Sequence, residues 1–215
     1  MDSSLEARTV GLRDRQKLER ERRIVKAAEK LFARKGYGDV AMEDVAARAG
    51  LAVGTIYNYF PSKSALLLAI VRSETESLLE RARKILDDPP SDPVAAVSAF
   101  TEIFLEDVTR DDRRLWRELF GAAIAEPSTV GRRLFDGDAQ LVTQLASLLD
   151  RYRSDGVVPS DVEPLPAATV LYSVCFTWMT VYLMNDAISA ETVRNEIRRG
   201  VAIAMRGLFP RAGAT

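Results

Sequence analysis

An all-α fold of about nine helices is what this 215-residue sequence predicts. Three observations lead there. No run alternates apolar and polar residues with the β-branched enrichment that a half-buried strand needs. Apolar residues recur instead at three- and four-residue spacing, the stripe of an amphipathic helix. Clusters of Gly, Pro, Asp and Ser break the chain at Gly36-Tyr37-Gly38, Gly50, Pro61, Asp87 to Pro93, Arg110 to Asp112, Glu126 to Ser128, Asp155 to Pro166 and Asn185 to Ser189. Segments of helical length lie between them.

Taken in order, residues 1–12 lack periodicity and read as a loose arm. Ile24, Ala28, Leu31 and Phe32 then mark the buried face of a first helix, closed by Arg34-Lys35 and Gly36. Cations suit the negative end of the helix dipole, and glycine accepts the left-handed stop. Two short helices follow around Gly50. A longer one starts after Pro61 with Ser62 as N-cap and runs to about residue 86, with Leu66, Leu67, Ile70, Leu78 and Ile85 as its apolar positions. Residues 92–109, 111–125, 128–154, 164–184 and 189–208 give five further helices. Gly131 and Gly137 leave open whether the third of these is one helix or two.

Composition excludes whole classes of chemistry. The sequence has no histidine and one cysteine, Cys175, so the usual zinc-ligand sets and every Ser-His-Asp or Cys-His nucleophile are ruled out. No metal or cofactor is expected. The acidic pairs Asp87-Asp88, Asp111-Asp112 and Asp136 with Asp138 sit at breaks or beside glycine, and read as caps and turn formers rather than catalytic carboxylates. An all-carboxylate or lysine-based enzyme is the alternative that this leaves, and the expectation is that the chain is not an enzyme. One unpaired cysteine and no basic-then-apolar leader point to the reducing cytoplasm.

Charge is uneven. Residues 1–63 carry a net +4 and residues 64–215 a net −5, and residues 8–35 alone hold eleven basic side chains against four acidic ones. A basic third on an acidic body suggests a polyanionic partner at one end. The alternative is a solvated helix face laced with i,i+4 pairs such as Glu19–Arg23.

The informative stretch runs from Met42 to Phe60. Val45, Ala46 and Ala49 are the inward positions of one short helix, Gly50 the reversal, and Leu51, Ile56 and Phe60 the inward positions of the next. Ala52, Val53, Thr55, Asn58 and Tyr59 are left outward or sideways, with Tyr57 near an edge. In a helix-turn-helix, the second helix enters the major groove with its N-terminal residues at base edges. Asn58 has the chemistry to read adenine, and Val53 or Tyr59 to pack on a thymine methyl. Packing of the three-helix domain is the competing role for Tyr57 and Tyr59.

Ile24 to Phe32, Gly36-Tyr37, Val45-Ala46, Ala49-Gly50-Leu51, the run Gly54-Thr-Ile-Tyr-Asn-Tyr-Phe-Pro-Ser-Lys63 and Leu66 together resemble the tetracycline-repressor (TetR) family of transcriptional regulators, over roughly residues 20–70. The resemblance implies an N-terminal helix-turn-helix DNA-binding domain over residues 1–66 and an effector-binding and dimerisation domain over 67–215. It implies DNA contacts from Thr55 and Tyr57, and a phosphate clamp at Lys63. One departure is Ala41, where the family usually places a Thr or Ser as N-cap; the cap must come from elsewhere, Asp39 or backbone. The function implied is a repressor that binds a palindromic operator as a homodimer and is released by a small apolar or amphipathic effector. The alternative is an effector-independent DNA-organising or partner-recruiting protein.

In the C-terminal part, Phe104, Trp116, Phe120, Trp178 and Tyr182 are the candidates for lining an effector pocket, with core packing as the alternative for each. Ala167 to Met184 carries no charge. It is long enough for a membrane span, but lacks Lys or Arg anchors, so burial against the core and a second subunit is expected instead. Val174, Val181, Val193, Ile197, Val201 and Leu208 are the candidates for a four-helix dimer seam.

Overall fold

The computed structural model describes residues 12–110 and 113–208, and every element among them is helical. Residues 1–11 of the proposed N-terminal arm, Asp111-Asp112 and the last seven residues lie outside the described residues, and Leu12, expected in the arm, opens the first helix. The elements are α1 (Leu12–Lys35), α2 (Met42–Ala49), α3 (Val53–Tyr59), α4 (Lys63–Asp87), α5 (Pro93–Arg110), α6 (Arg113–Ala125), a single π-helical turn (Pro127–Gly131), α7 (Arg132–Ser154), α8 (Pro164–Met184) and α9 (Ala190–Leu208). They form two compact units, residues 1–70 and 71–215, and α4 contributes residues to both.

In the first unit, Ile24, Ala28, Leu31 and Phe32 of α1 are buried with Val45, Ala46 and Ala49 of α2, Ile56 of α3, Phe60, and Leu66, Leu67 and Ile70 of α4. Gly36 and Gly50 have φ of 92° and 63°, backbone that an L side chain enters only with strain. At Gly50 the reversal is closed by bonds from the Gly50 and Leu51 N–H groups to the carbonyls of Ala47 and Ala46, a glycine C-cap that turns the chain into α3. Ala41 has no side chain with which to cap α2. The cap comes from neither Asp39 nor backbone alone: the Asp44 carboxylate reaches back to accept the Ala41 N–H at 3.1 Å. That bond, followed by the Lys35 ammonium at 3.2 Å, holds the Asp44 carboxyl below the usual range. Ser62 does cap α4, accepting the Ala65 N–H at 3.1 Å.

In the second unit, α8 packs on α7 and α9, and α5 on α8 and α9. The 128–154 question resolves into a π-turn followed by one uninterrupted helix. Gly131 marks the junction, where a Cβ would stand 2.7 Å from the Ala123 carbonyl. Gly137 lies within α7 and breaks nothing; a Cβ there would meet the Thr75 methyl of α4 at 2.7 Å. Two arginines of α6 secure the turn between α8 and α9. Arg113 donates to the carbonyls of Asn185 and Ile188, and Arg117 to that of Leu183. Both reach Asp186, whose carboxyl they hold below the usual range, Arg117 foremost.

The α8 segment is long and apolar enough to cross a membrane by length and composition. In the fold, Ala167, Ala168, Leu171, Cys175, Met179 and Leu183 are buried, while Pro166, Thr169, Val170, Ser173 and Thr177 face outward. The chain's own core therefore covers one side of this helix. Cys175 is a buried free thiol, pushed up to about 12 by desolvation.

Candidate nucleic-acid interface and effector cavity

The groups expected to read DNA sit on α3, a helix of under two turns held down by Ile56 and followed by buried Phe60. Tyr57, 47% exposed, and Asn58 point into solvent. Val53, Thr55 and Tyr59 are half-buried. The helix thus presents hydroxyl, amide and aromatic groups and no charge, which suits base edges better than phosphates. Positive charge comes from elsewhere in the same unit. Arg23, Lys26 and Lys30 of α1 and Arg48 of α2 surround a recess of about 320 Å³. Arg48 was not a sequence candidate, because a lone arginine on α2 gives no signal until folding sets it beside the α1 cations.

Lys63 is engaged within its own chain. Its ammonium donates to the carbonyls of Tyr37 at 2.7 Å, Val40 at 3.0 Å and Gly38 at 3.1 Å. It also lies 4.6 Å from the centre of the Tyr37 ring. An ammonium has three N–H donors, and all three are spent inside the turn that joins α1 to α2. A phosphate would have to displace one of them. Lys63 is thus a clamp on the turn.

A second site lies wholly within residues 71–215. A cavity of about 190 Å³ is enclosed by α4, α5, α6, α7 and α8, with Gly131 of the π-turn on its wall. Of the five expected lining residues, Phe104, Trp116 and Phe120 are there, and Trp178 and Tyr182 are not. Tyr182 instead stacks under the Arg113 guanidinium, 3.7 Å from the ring centre, as part of the α8–α9 clamp. The rings form a chain: Phe104 to Tyr172 at 5.4 Å edge-on, Tyr172 to Phe176 at 6.3 Å, Phe176 to Phe120 at 6.2 Å. Phe135 lines the cavity while 71% exposed, which marks the mouth.

Sequence reasoning missed the polar features of this cavity. Asp138, read as a turn former, sits inside α7 and lines the cavity. Burial pushes its carboxyl up to about 6, with the neighbouring Tyr172 hydroxyl pulling the other way. The Tyr172 hydroxyl is buried and stops short of a hydrogen bond of normal geometry. Only the helical register of α7, unbroken through Gly137, turns Asp138 inward, and the glycine beside it suggested a break.

The expected dimer seam also needs correction. Val193, Ile197 and Val201 are fully buried within the chain against α5 and α8. Val174 packs on Gly200, where a Cβ would stand 2.6 Å from its Cγ1. The α9 stripe satisfies the chain's own core, so periodicity found a buried face but not which partner buries it. Val181 remains half-buried on the outward side of α8, and the Leu208 side chain lies outside the described residues.

Comparison with known proteins matches residues 24–70 to the family model described as bacterial regulatory proteins, tetR family. The transcriptional repressor KstR of Rhodococcus jostii is 29% identical over 94% of this chain and 92% of its own. The transcriptional regulator EthR of Mycolicibacterium smegmatis is 28% identical over 71% and 70%. Among solved structures, the TetR-family repressor FadR of Thermus thermophilus, in complex with lauroyl-CoA, superimposes with a TM-score of 0.62 at 21% identity, over 91% of this chain and 98% of that one.

Proposed function

We propose that this chain, which is similar to the tetR family of bacterial regulatory proteins over residues 24–70 and to the repressor KstR along most of its length, is a DNA-binding transcriptional regulator rather than an enzyme, a homodimeric repressor released by a small effector. In this reading two copies of α3 lie about one helical turn of DNA apart, roughly 34–36 Å, on a palindromic operator. Val53, Thr55, Tyr57, Asn58 and Tyr59 read base edges and sugar-phosphate from the groove. The α1 cations and Arg48 neutralise phosphates. The observation that carries the reading is an uncharged polar α3 in the same unit as a cationic recess.

The outward stripe of α8 supports the dimer. It holds no charged residue, and Val170 on it is 54% exposed. Thr169, Ser173 and Thr180 donate their hydroxyl protons to the carbonyls four residues back, at 2.7–2.8 Å. Hydroxyls satisfied within the helix lose little when a partner covers them. A two-fold pairing of α8, with exposed Ile203 of α9 at its flank, buries this face. Val170→Arg places a charge at that contact. Sedimentation should show the wild type as a dimer and the variant as a folded monomer with at least tenfold weaker operator binding; a monomeric wild type sinks the dimer.

The cavity supports effector control, since a ligand that prefers one conformation shifts the population of DNA-competent protein. FadR of Thermus thermophilus holds an acyl-CoA. Selection of bound sequences from random DNA tests operator recognition directly. An inverted repeat should emerge, and Tyr57→Ala with Asn58→Ala should weaken it about 5- to 100-fold each if they touch bases. Equal binding to all duplexes would refute base reading by α3.

A further inference from the structure

We infer that the effector of this cavity is an organic cation, an amine carried on an aromatic or short aliphatic body. The inference rests on the effector reading above and adds the sign of the ligand's charge. The walls fix the body. Phe104, Trp116, Phe120 and Phe176 line a space of about 190 Å³, somewhat larger than the roughly 150 Å³ that accommodates benzene. One ring with a short chain fills it.

The polar groups fix the charge. Asp138 and Glu74 are the ionisable side chains on the wall, and no lysine or arginine lines it among the described residues. Glu74 carries an interaction of its own. Asp138 lines the cavity beside the Tyr172 hydroxyl, which lacks an acceptor or donor of normal geometry. A carboxylate there costs desolvation that an incoming ammonium offsets by pairing and hydrogen bonding. The aromatic faces add attraction for the same charge. An anionic ligand meets the opposite situation, since it would bury its charge beside the Asp138 carboxyl on a wall that holds no lysine or arginine among the described residues.

Phenylpropylamine, phenylpropanol and phenylpropionate share ring and chain and differ in charge. Calorimetric titration and thermal shift of full-length protein, with Trp116 fluorescence as a reporter at the cavity, should rank the amine about tenfold above the alcohol and the acid last. Asp138→Asn should erase the amine's advantage and leave alcohol binding within about twofold, while Glu74→Gln has the smaller effect. Equal binding of amine and alcohol to the wild type, amine binding unchanged in Asp138→Asn, or preference for the acid each overturns the cation and leaves the cavity as a ligand site. Binding of none of the three overturns the cavity's role and the cation together.

Discussion

Replacing Lys63 by methionine should destabilise the N-terminal unit by about 2–3 kcal/mol, because three charge-assisted bonds and a cation–π contact go while the aliphatic stem stays. The carbonyls of Tyr37, Gly38 and Val40 would lose a shared donor, and amide exchange across residues 36–45 should speed up. Both tryptophans, Trp116 and Trp178, lie beyond residue 70, so circular dichroism and exchange, not indole fluorescence, report this loss. Lys63→Arg should fail to rescue, since a planar fork cannot converge on three carbonyls as an ammonium does. Operator affinity should fall while the dependence of log K on log salt keeps its slope. A slope shallower by about one unit per head would mean that Lys63 meets a phosphate after all.

Asp138→Asn should make the protein more stable at neutral pH and flatten its stability between pH 5 and 7. The sign follows from the raised carboxyl, at about 6 against 3.8 for the unfolded chain. The folded protein holds this proton more tightly, so the favourable contribution is complete below about pH 4 and is lost as pH rises through 6. Two units correspond to at most about 3 kcal/mol, and less because the side chain is only partly buried by area. Asp44 and Asp186 are shifted the other way, so their contributions are present above the unfolded value and lost only in stronger acid. Denaturation series from pH 5 to 7 separate the two behaviours. A wild-type stability that does not fall across that window would place the Asp138 carboxyl in water.

The fold was legible in the sequence wherever a local rule decided it. The α1 stripe, Gly36, Gly50 and the Ser62 cap are each fixed within a few residues of chain, and the structure carries them as the spacing predicts. The outward position of Asn58 was legible for the same reason, since Leu51, Ile56 and Phe60 set the inward face, whereas Tyr57, expected near an edge, is exposed and Tyr59, expected outward or sideways, is half-buried. What was not legible depends on contacts distant in sequence. Lys63 meets carbonyls more than twenty positions earlier, and no local pattern reveals that its donors are used. The α9 stripe shows that a face is buried, yet self-burial and burial by a partner leave the same periodicity. Asp138 is a carboxyl beside a glycine, and in isolation that pair reads as a turn; the close approach of Gly137 to Thr75 explains the glycine, and frees the aspartate for another purpose.

The buried thiol has a practical use. Cys175 is shielded and reluctant to ionise, and thiolate is the species that maleimides and methanethiosulfonates attack. An Asn58→Cys protein would therefore accept a spin label at the reading helix alone, with no native cysteine to remove. In a two-fold assembly the paired labels would act as a molecular ruler, giving the gap between the heads directly, with and without phenylpropylamine.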